Sequence, residues 1–168
     1  MRLLMIRHAI AEDRDAFAKR GRPDDERPLT DDGREKMRQA ARGLRGVVKV
    51  VDLIGTSPLV RAVQTAEIVS DTYDGVETVA VPALEPSSEL SAMMRFLRSA
   101  EKLRVVAIVG HEPHLGRLAS WLVSGRDHPF VVFKKGGICL LEFEETPREG
   151  GALLHWALAP AQLRALAD

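Results

Sequence analysis

Four short stretches of the chain are mostly apolar, two of them (3–6 and 105–109) at every position and two (51–55 and 76–81) with polar interruptions. Runs of this length, mostly branched or aliphatic, fit parallel strands covered on both faces. Between them the apolar positions recur at helical spacing. Residues 31–44 place Met37, Ala40, Ala41 and Leu44 on one face, and residues 59–73 do the same with Leu59, Val63, Ala66 and Val69. A third helix is predicted over 88–99, with Met93, Leu97 and Ala100 apolar. A fourth carries Leu115, Leu118, Ala119 and Leu122 and stops near Ser124-Gly125, where glycine closes a helix. Strands and helices in alternation predict an α/β fold, a three-layer α/β/α sandwich on a mostly parallel central sheet. The last third differs: residues 138–144 and 153–158 flank Pro147 and Gly150-Gly151, which predicts an antiparallel hairpin at the sheet edge. No internal repeat, low-complexity tract or linker divides the chain, so one domain over 1–168 is expected. Residues 13–28, charge-rich and carrying Gly21, Pro23 and Pro28, read as a long surface loop.

Composition narrows the partners. Apolar residues are 45% and charged residues 29% of the chain, as in a folded globular protein. Lys plus Arg and Asp plus Glu number 24 each, so no sustained positive field draws the chain to nucleic acid or to a membrane surface. A small, locally positive pocket remains compatible with that balance. The single cysteine, Cys139, lies in an apolar run, reads as a buried thiol and fits a reducing compartment. The apolar N-terminal run meets Arg7 too soon to be a signal-peptide core, and no run has the length of a membrane span, so a cytoplasmic location is expected.

In open α/β sheets ligands bind beyond the carboxyl ends of the strands. The first strand ends in Arg7-His8 and the second in Thr56-Ser57-Pro58, with Arg61 one turn further on. The third ends near Leu84-Glu85-Pro86 and the fourth in Gly110-His111-Glu112-Pro113. Strand and helix propensity do not call for these residues, but phosphoryl transfer does. A neutral imidazole is a good nucleophile near neutral pH. Arginine offers a planar, permanently charged fork that matches phosphate oxygens. Two arginines and a second histidine supply the charge stabilisation that such transfer chiefly needs, without a metal. Ser57-Pro58 reads as a helix start, with Ser57 as N-cap and the helix N-terminus turned toward an anion.

Other polar residues have plainer readings. Glu112 is expected to stabilise a helix N-terminus rather than do chemistry. His114, His128 and His155 read as structural or surface groups, Lys134 and Lys135 as a solvated pair, and Trp121 and Trp156 as core or boundary residues. The histidine spacing does not suggest a zinc site.

Taken together, three stretches resemble the motifs of one family. Leu4-Met5-Ile6-Arg7-His8 resembles the Arg-His-Gly signature of the histidine phosphatase superfamily, residues 57–66 (SPLVRAVQTA) its second motif and Val109-Gly110-His111-Glu112-Pro113 its third. Arg27-Pro28-Leu29-Thr30-Asp31-Asp32-Gly33 resembles the segment before its first long helix. That segment, the short chain and Lys134-Lys135-Gly136-Gly137 are most similar to the SixA branch, the phosphohistidine phosphatases. The resemblance implies a phosphoglycerate mutase-like fold, no cofactor, and His8 as the nucleophile that becomes phosphohistidine. It implies a phosphate pocket of Arg7, Arg61 and His111, with His8 neutral and His111 protonated. Glu85 is the candidate proton donor. Ala9 stands where the broad signature has glycine, which is tolerated if its φ is negative. The implied partner is a phosphorylated protein, such as a phosphotransfer domain; the alternatives are a small phosphorylated metabolite, turned over by a phosphatase or mutase, and a non-catalytic phosphate-binding module. A phosphohistidine leaves as imidazole, whose conjugate acid has a pKa of about 6.5, so it needs far less acid help than an alkoxide.

Overall fold

The computed structural model describes residues 1–167. Six strands form one sheet: β1 (Arg2–Arg7), β2 (Leu53–Thr56), β3 (Thr78–Ala80), β4 (Val105–Gly110), β5 (Ile138–Phe143) and β6 (Ala152–Leu158). Their spatial order is β3-β2-β4-β1-β5-β6. The first four run parallel; β5 is antiparallel to β1, and β6 to β5, which makes the predicted edge hairpin.

The central strands β1 and β4 are apolar along their inner length because both of their faces are covered. In β1, Leu3, Leu4, Met5 and Ile6 are all 0% exposed. Leu4 and Ile6 pack with Met37, Ala40 and Leu44 of α2 (Asp31–Val47), Ala66 and Val69 of α3 (Val60–Thr72) and Leu163 of α6 (Pro160–Ala165). Leu3 and Met5 face the opposite layer, with Met93 and Leu97 of α4 (Met93–Ser99) and Leu115, Leu118 and Leu122 of α5 (His114–Ser124). Side chains alternate across a strand, so one apolar run feeds two cores.

Local chemistry sets the helix ends. The Thr30 hydroxyl accepts from the Gly33 N–H at 3.0 Å, and Asp31 and Asp32 follow in the first turn of α2. Gly125, at φ 71°, closes α5 as the sequence predicts. Four expectations need correction. Ser57 does not cap α3, which starts at Val60 with Leu59 as its N-cap; the Ser57 N–H is still committed to the sheet, donating to the Val109 carbonyl at 3.0 Å. The helix predicted over 88–99 begins late, as a single turn at Leu90–Ala92 before α4. The Ser88 hydroxyl donates back to the Pro82 carbonyl at 2.9 Å and holds the preceding segment in a turn. Residues 13–28 are not wholly irregular: they hold α1 (Arg14–Ala18) and a turn at Asp24–Glu26, anchored by Phe17 at 1% exposure. The third strand is shorter than predicted and sits at the open edge of the sheet. Among the described residues no helix is long and apolar enough to cross a membrane.

Candidate active site

Sheet pairing continues past the strand ends and brings the polar residues side by side. Arg7 stands opposite Gly110, and the His8 N–H donates to the Gly110 carbonyl at 3.0 Å. His8 and His111 therefore lie on adjacent strand ends, with ring centroids 5.1 Å apart. They share a cleft of about 590 Å³ with Arg7, Arg61, Arg27 and Asp24.

His8 is 5% exposed, and its Nδ1 is 2.7 Å from the Ala9 carbonyl oxygen. A carbonyl only accepts, so Nδ1 carries the proton and Nε2 keeps a free lone pair. Burial above all, then the charges of Arg61, Arg7 and Arg27, pushes the His8 pKa down to about 3. The ring is neutral at physiological pH, as nucleophilic attack requires. The backbone behind it is fixed from α3: the Ala9 N–H donates to Thr65 Oγ1 at 3.0 Å, and that hydroxyl donates to the Arg61 carbonyl at 2.7 Å. Ala9 does not have positive φ, so its methyl group brings no backbone strain.

His111 is 2% exposed, with Nε2 2.9 Å from Ser57 Oγ. Its pKa is also pushed down to about 3, first by burial and then by His8 and Arg61. Burial beside the arginines thus disfavours the expected imidazolium in the resting cleft, where it would add a further positive charge.

The arginines are aimed by backbone. Arg7 Nη1 donates to the Phe133 carbonyl at 2.6 Å, while the Phe133 N–H donates to Glu112 Oε1 at 2.7 Å. Glu112 therefore ties down the segment that holds Arg7, rather than capping α5, whose N-cap is Pro113. Gly136 donates to the Arg7 and His8 carbonyls at 3.1 and 3.2 Å, which brings Lys135 to the cleft wall. Arg61 is 4% exposed; its Nη1 donates to the Asp24 carbonyl at 2.7 Å, and its Nη2 lies 3.1 Å from Asp24 Oδ2. Arg27 Nε donates to Asp24 Oδ1 at 2.9 Å and Arg14 Nε lies 3.3 Å from the same oxygen. Burial lowers the pKa of both Arg7 and Arg61, opposed by Glu112 and Asp24 respectively. The Asp24 carboxyl lies below its ordinary range: burial raises it, but the Arg27 hydrogen bond and the charges of Arg61, Arg27 and Arg14 together outweigh that.

The structure thus brings together four of the residues singled out in the sequence: Arg7, His8, Arg61 and His111. It does not bring in Glu85, which lines a separate groove of about 860 Å³ with Arg95 and Phe96, although the next residue, Pro86, borders the cleft. It adds Asp24, Arg27 and Arg14, which nothing in the charge-rich 13–28 segment distinguished beyond the place of Arg27 in a family-like stretch. His114 is wholly buried, His128 and His155 are exposed, and Cys139 is a buried thiol with its pKa raised to about 12 by burial. Among the described residues no three His, Cys, Asp or Glu side chains converge to hold a metal ion.

A neutral histidine with a free Nε2, set among buried arginines at the strand ends of a parallel sheet, defines a phosphoryl-handling α/β protein. Residues 3–86 match the model of the histidine phosphatase superfamily (branch 1). An uncharacterized protein of Picosynechococcus sp. is 34% identical over 140 residues, 82% of each chain. Phosphohistidine phosphatase SixA of Escherichia coli K12 is 27% identical over 167 residues, 98% of this chain and 97% of that one. The structure of the protein histidine phosphatase SixA complexed with tungstate superposes with a TM-score of 0.82 at 26% identity, covering 97% of this chain and 99% of the other. The chain belongs to the histidine phosphatase superfamily, and its likeness is to the SixA-type branch.

Proposed function

We propose that this phosphatase removes the phosphoryl group from a phosphohistidine carried by a protein. His8 Nε2 attacks phosphorus; a P–N bond forms as the P–N bond to the substrate imidazole breaks, and that imidazole departs neutral because its other ring nitrogen has taken up a proton from solvent. Water then attacks the phosphorus on His8, releasing inorganic phosphate and restoring the neutral ring. Arg7, Arg61 and His111 surround the transferring group, with the two guanidinium forks balancing its charge.

The observation that carries the substrate class is the engagement of every carboxylate lining the cleft. Glu12 is paired with Arg20, the Asp13 side chain caps α1 through the Ala16 N–H, Asp24 is held by three arginines, and Glu112 accepts from Phe133. None stands free as a carboxylic acid for an alkoxide leaving group, and Glu85 faces another groove. Imidazole leaves without that help. The name of the Escherichia coli relative points the same way.

The test is phosphate release, in the presence of a chelator, from a histidine-phosphorylated phosphotransfer protein and from a panel of sugar phosphates and phosphoglycerates. The wild type is expected to favour the protein by orders of magnitude, and His8→Ala to be inactive on all substrates. Quenched wild type is expected to carry a label on His8 that survives alkali and is lost in acid. Turnover of the esters alone would leave the chemistry standing and remove the protein substrate. Phosphate binding without turnover would support a non-catalytic module.

A further inference from the structure

We propose that the groove between α2 and α3 is a docking surface for an acidic segment of the phosphorylated protein, an inference that rests on the protein-substrate reading above. The groove has a volume of about 660 Å³, and one wall is a row of cations: Arg34, Arg38, Arg42, Arg45 and Lys49. The spacing of the four arginines puts them along one stripe of α2, and Lys49 follows just past its C-terminal end. Like charges three or four residues apart on a helix repel, so the row as such opposes folding.

Two of the five are already paired. Arg38 meets Glu35 at 3.2 Å, and Arg45 meets Asp74, just past the end of α3. Among the described residues Arg34, Arg42 and Lys49 have no ion-pair partner. The chain as a whole balances at 24 cations and 24 carboxylates, so the row is a local surplus rather than the edge of a basic protein. The opposite wall carries Glu67 and Asp71 as its only carboxylates.

Two features say what the groove takes. It opens next to the catalytic cleft: Gln64 on its wall accepts from the Leu29 N–H at 2.8 Å, and Arg27, two residues earlier, lines the cleft. A protein with its phosphoryl group at His8 therefore lies beside the upper end of the row. The far wall is mixed, with Ile68 and Thr72 beside the two carboxylates. A uniform polyanion such as nucleic acid or polyphosphate meets repulsion there, whereas a protein segment with acidic residues along one side meets cations on that side only. From Arg34 to Arg45 the helix rises about 16 Å at about 1.5 Å per residue, the length of a helical segment of about three turns, and Lys49 lies just beyond its end.

The experiment compares wild type with Arg34→Glu/Arg42→Glu/Lys49→Glu, and with the milder Arg42→Gln/Lys49→Gln, in which both positions are exposed. Circular dichroism checks that each is folded. Turnover of p-nitrophenyl phosphate is expected to be unchanged within about twofold in both. The KM for an acidic, histidine-phosphorylated phosphotransfer domain is expected to rise about tenfold or more in the triple variant and less in the double, with kcat retained. Salt is expected to raise the wild-type KM and to leave that of the triple variant nearly flat. A fluorescein-labelled Glu-rich helical peptide is expected to bind wild type and not the triple variant. Equal KM values for the phosphoprotein in wild type and triple variant would overturn the docking surface. So would failure of the peptide to bind wild type. Binding of labelled polyphosphate, but not peptide, with the same dependence on the row would show a polyanion site instead. If the wild type turns over only small esters, the protein-substrate reading falls, and the peptide arm still decides the groove.

Discussion

Asp24 presents a carboxylate to Arg61, Arg27 and Arg14 within the cleft where a phosphoryl group is to be held. An entering phosphate must share these cations with it. Asp24→Asn keeps the shape and removes the charge, so it is expected to tighten inhibition by inorganic phosphate about three- to tenfold, up to about 1.4 kcal/mol. Weaker inhibition would show instead that the carboxylate chiefly aims the arginines. His8 and His111 make a prediction of their own, because both pKa values are pushed from 6.5 down to about 3. Below pH 6.5 the unfolded chain takes up protons at both rings and the folded chain does not. The stability they bring is therefore full above about pH 6.5 and is lost as the pH falls toward 3. The unfolding free energy from urea titration is expected to drop between pH 7 and pH 4.5 in the wild type, and to drop less in His8→Ala, by on the order of 1–3 kcal/mol. An equal drop in both proteins would contradict a suppressed His8 titration. The acid limb of kcat/KM is expected to be displaced far below pH 6.5, toward pH 3, for the same reason. Arg7, His8, Arg61 and His111 were legible in the sequence because each follows a recognisable strand at a motif position. Asp24 was not, because a carboxylate in a charged loop looks like any solvated one until the fold sets it against buried guanidinium groups.

At the level of elements, the join between β1 and α2 fixes where His8 sits. The Thr30 N–H donates to the Ile10 carbonyl at 3.0 Å, two residues beyond His8. Gly33, in the first turn of α2, lets that carbonyl approach: a methyl group there would lie 2.1 Å from the Ile10 oxygen. Backbone on both sides leaves little room to yield. Gly33→Ala is expected to destabilise the fold by about 1–3 kcal/mol in urea denaturation and to lower kcat/KM together with it. Thr30→Ala removes the cap and the hydroxyl's 3.4 Å bond to the Ile10 carbonyl but leaves the backbone join, and is expected to cost about 1 kcal/mol with kcat nearly intact. A Gly33→Ala protein as stable and active as wild type would show that the join is slack. The long helices were legible because several turns of periodicity repeat the same apolar face. The short α1 and α6 were not, since each is anchored by one buried side chain, Phe17 or Leu163, and one residue makes no period.

On the scale of the whole molecule, alternating strands and helices made the parallel sheet legible, and the rule that ligands bind at strand carboxyl ends located the cleft. How many segments the cleft joins was not legible. Arg7 and His8 come from β1 and its end, Asp24 and Arg27 from the segment before α2, Arg61 from α3, His111 from the end of β4 and Lys135 from the segment before β5. These segments lie on both sides of β1, so an oxyanion among them stitches together parts of the chain far apart in sequence. Such a ligand binds the folded state alone and stabilises it by RT ln(1 + [L]/Kd), about 2.7 kcal/mol at a hundredfold excess over Kd. For a chain of this size about 2–4 °C accompany each kcal/mol, so vanadate at that excess is expected to raise Tm by about 5–10 °C. Arg61→Ala removes the most buried fork and is expected to lose most of the rise, whereas Arg42→Gln, outside the cleft, is expected to keep it. Hydrogen exchange is expected to slow in residues 24–27 and 133–136 together, since both segments hold the arginines through backbone carbonyls. If vanadate raised Tm equally in wild type and Arg61→Ala, the anion would be bound elsewhere. If it protected only residues 7–8, the cleft would be a local pocket and not the joint that ties these segments into one unit.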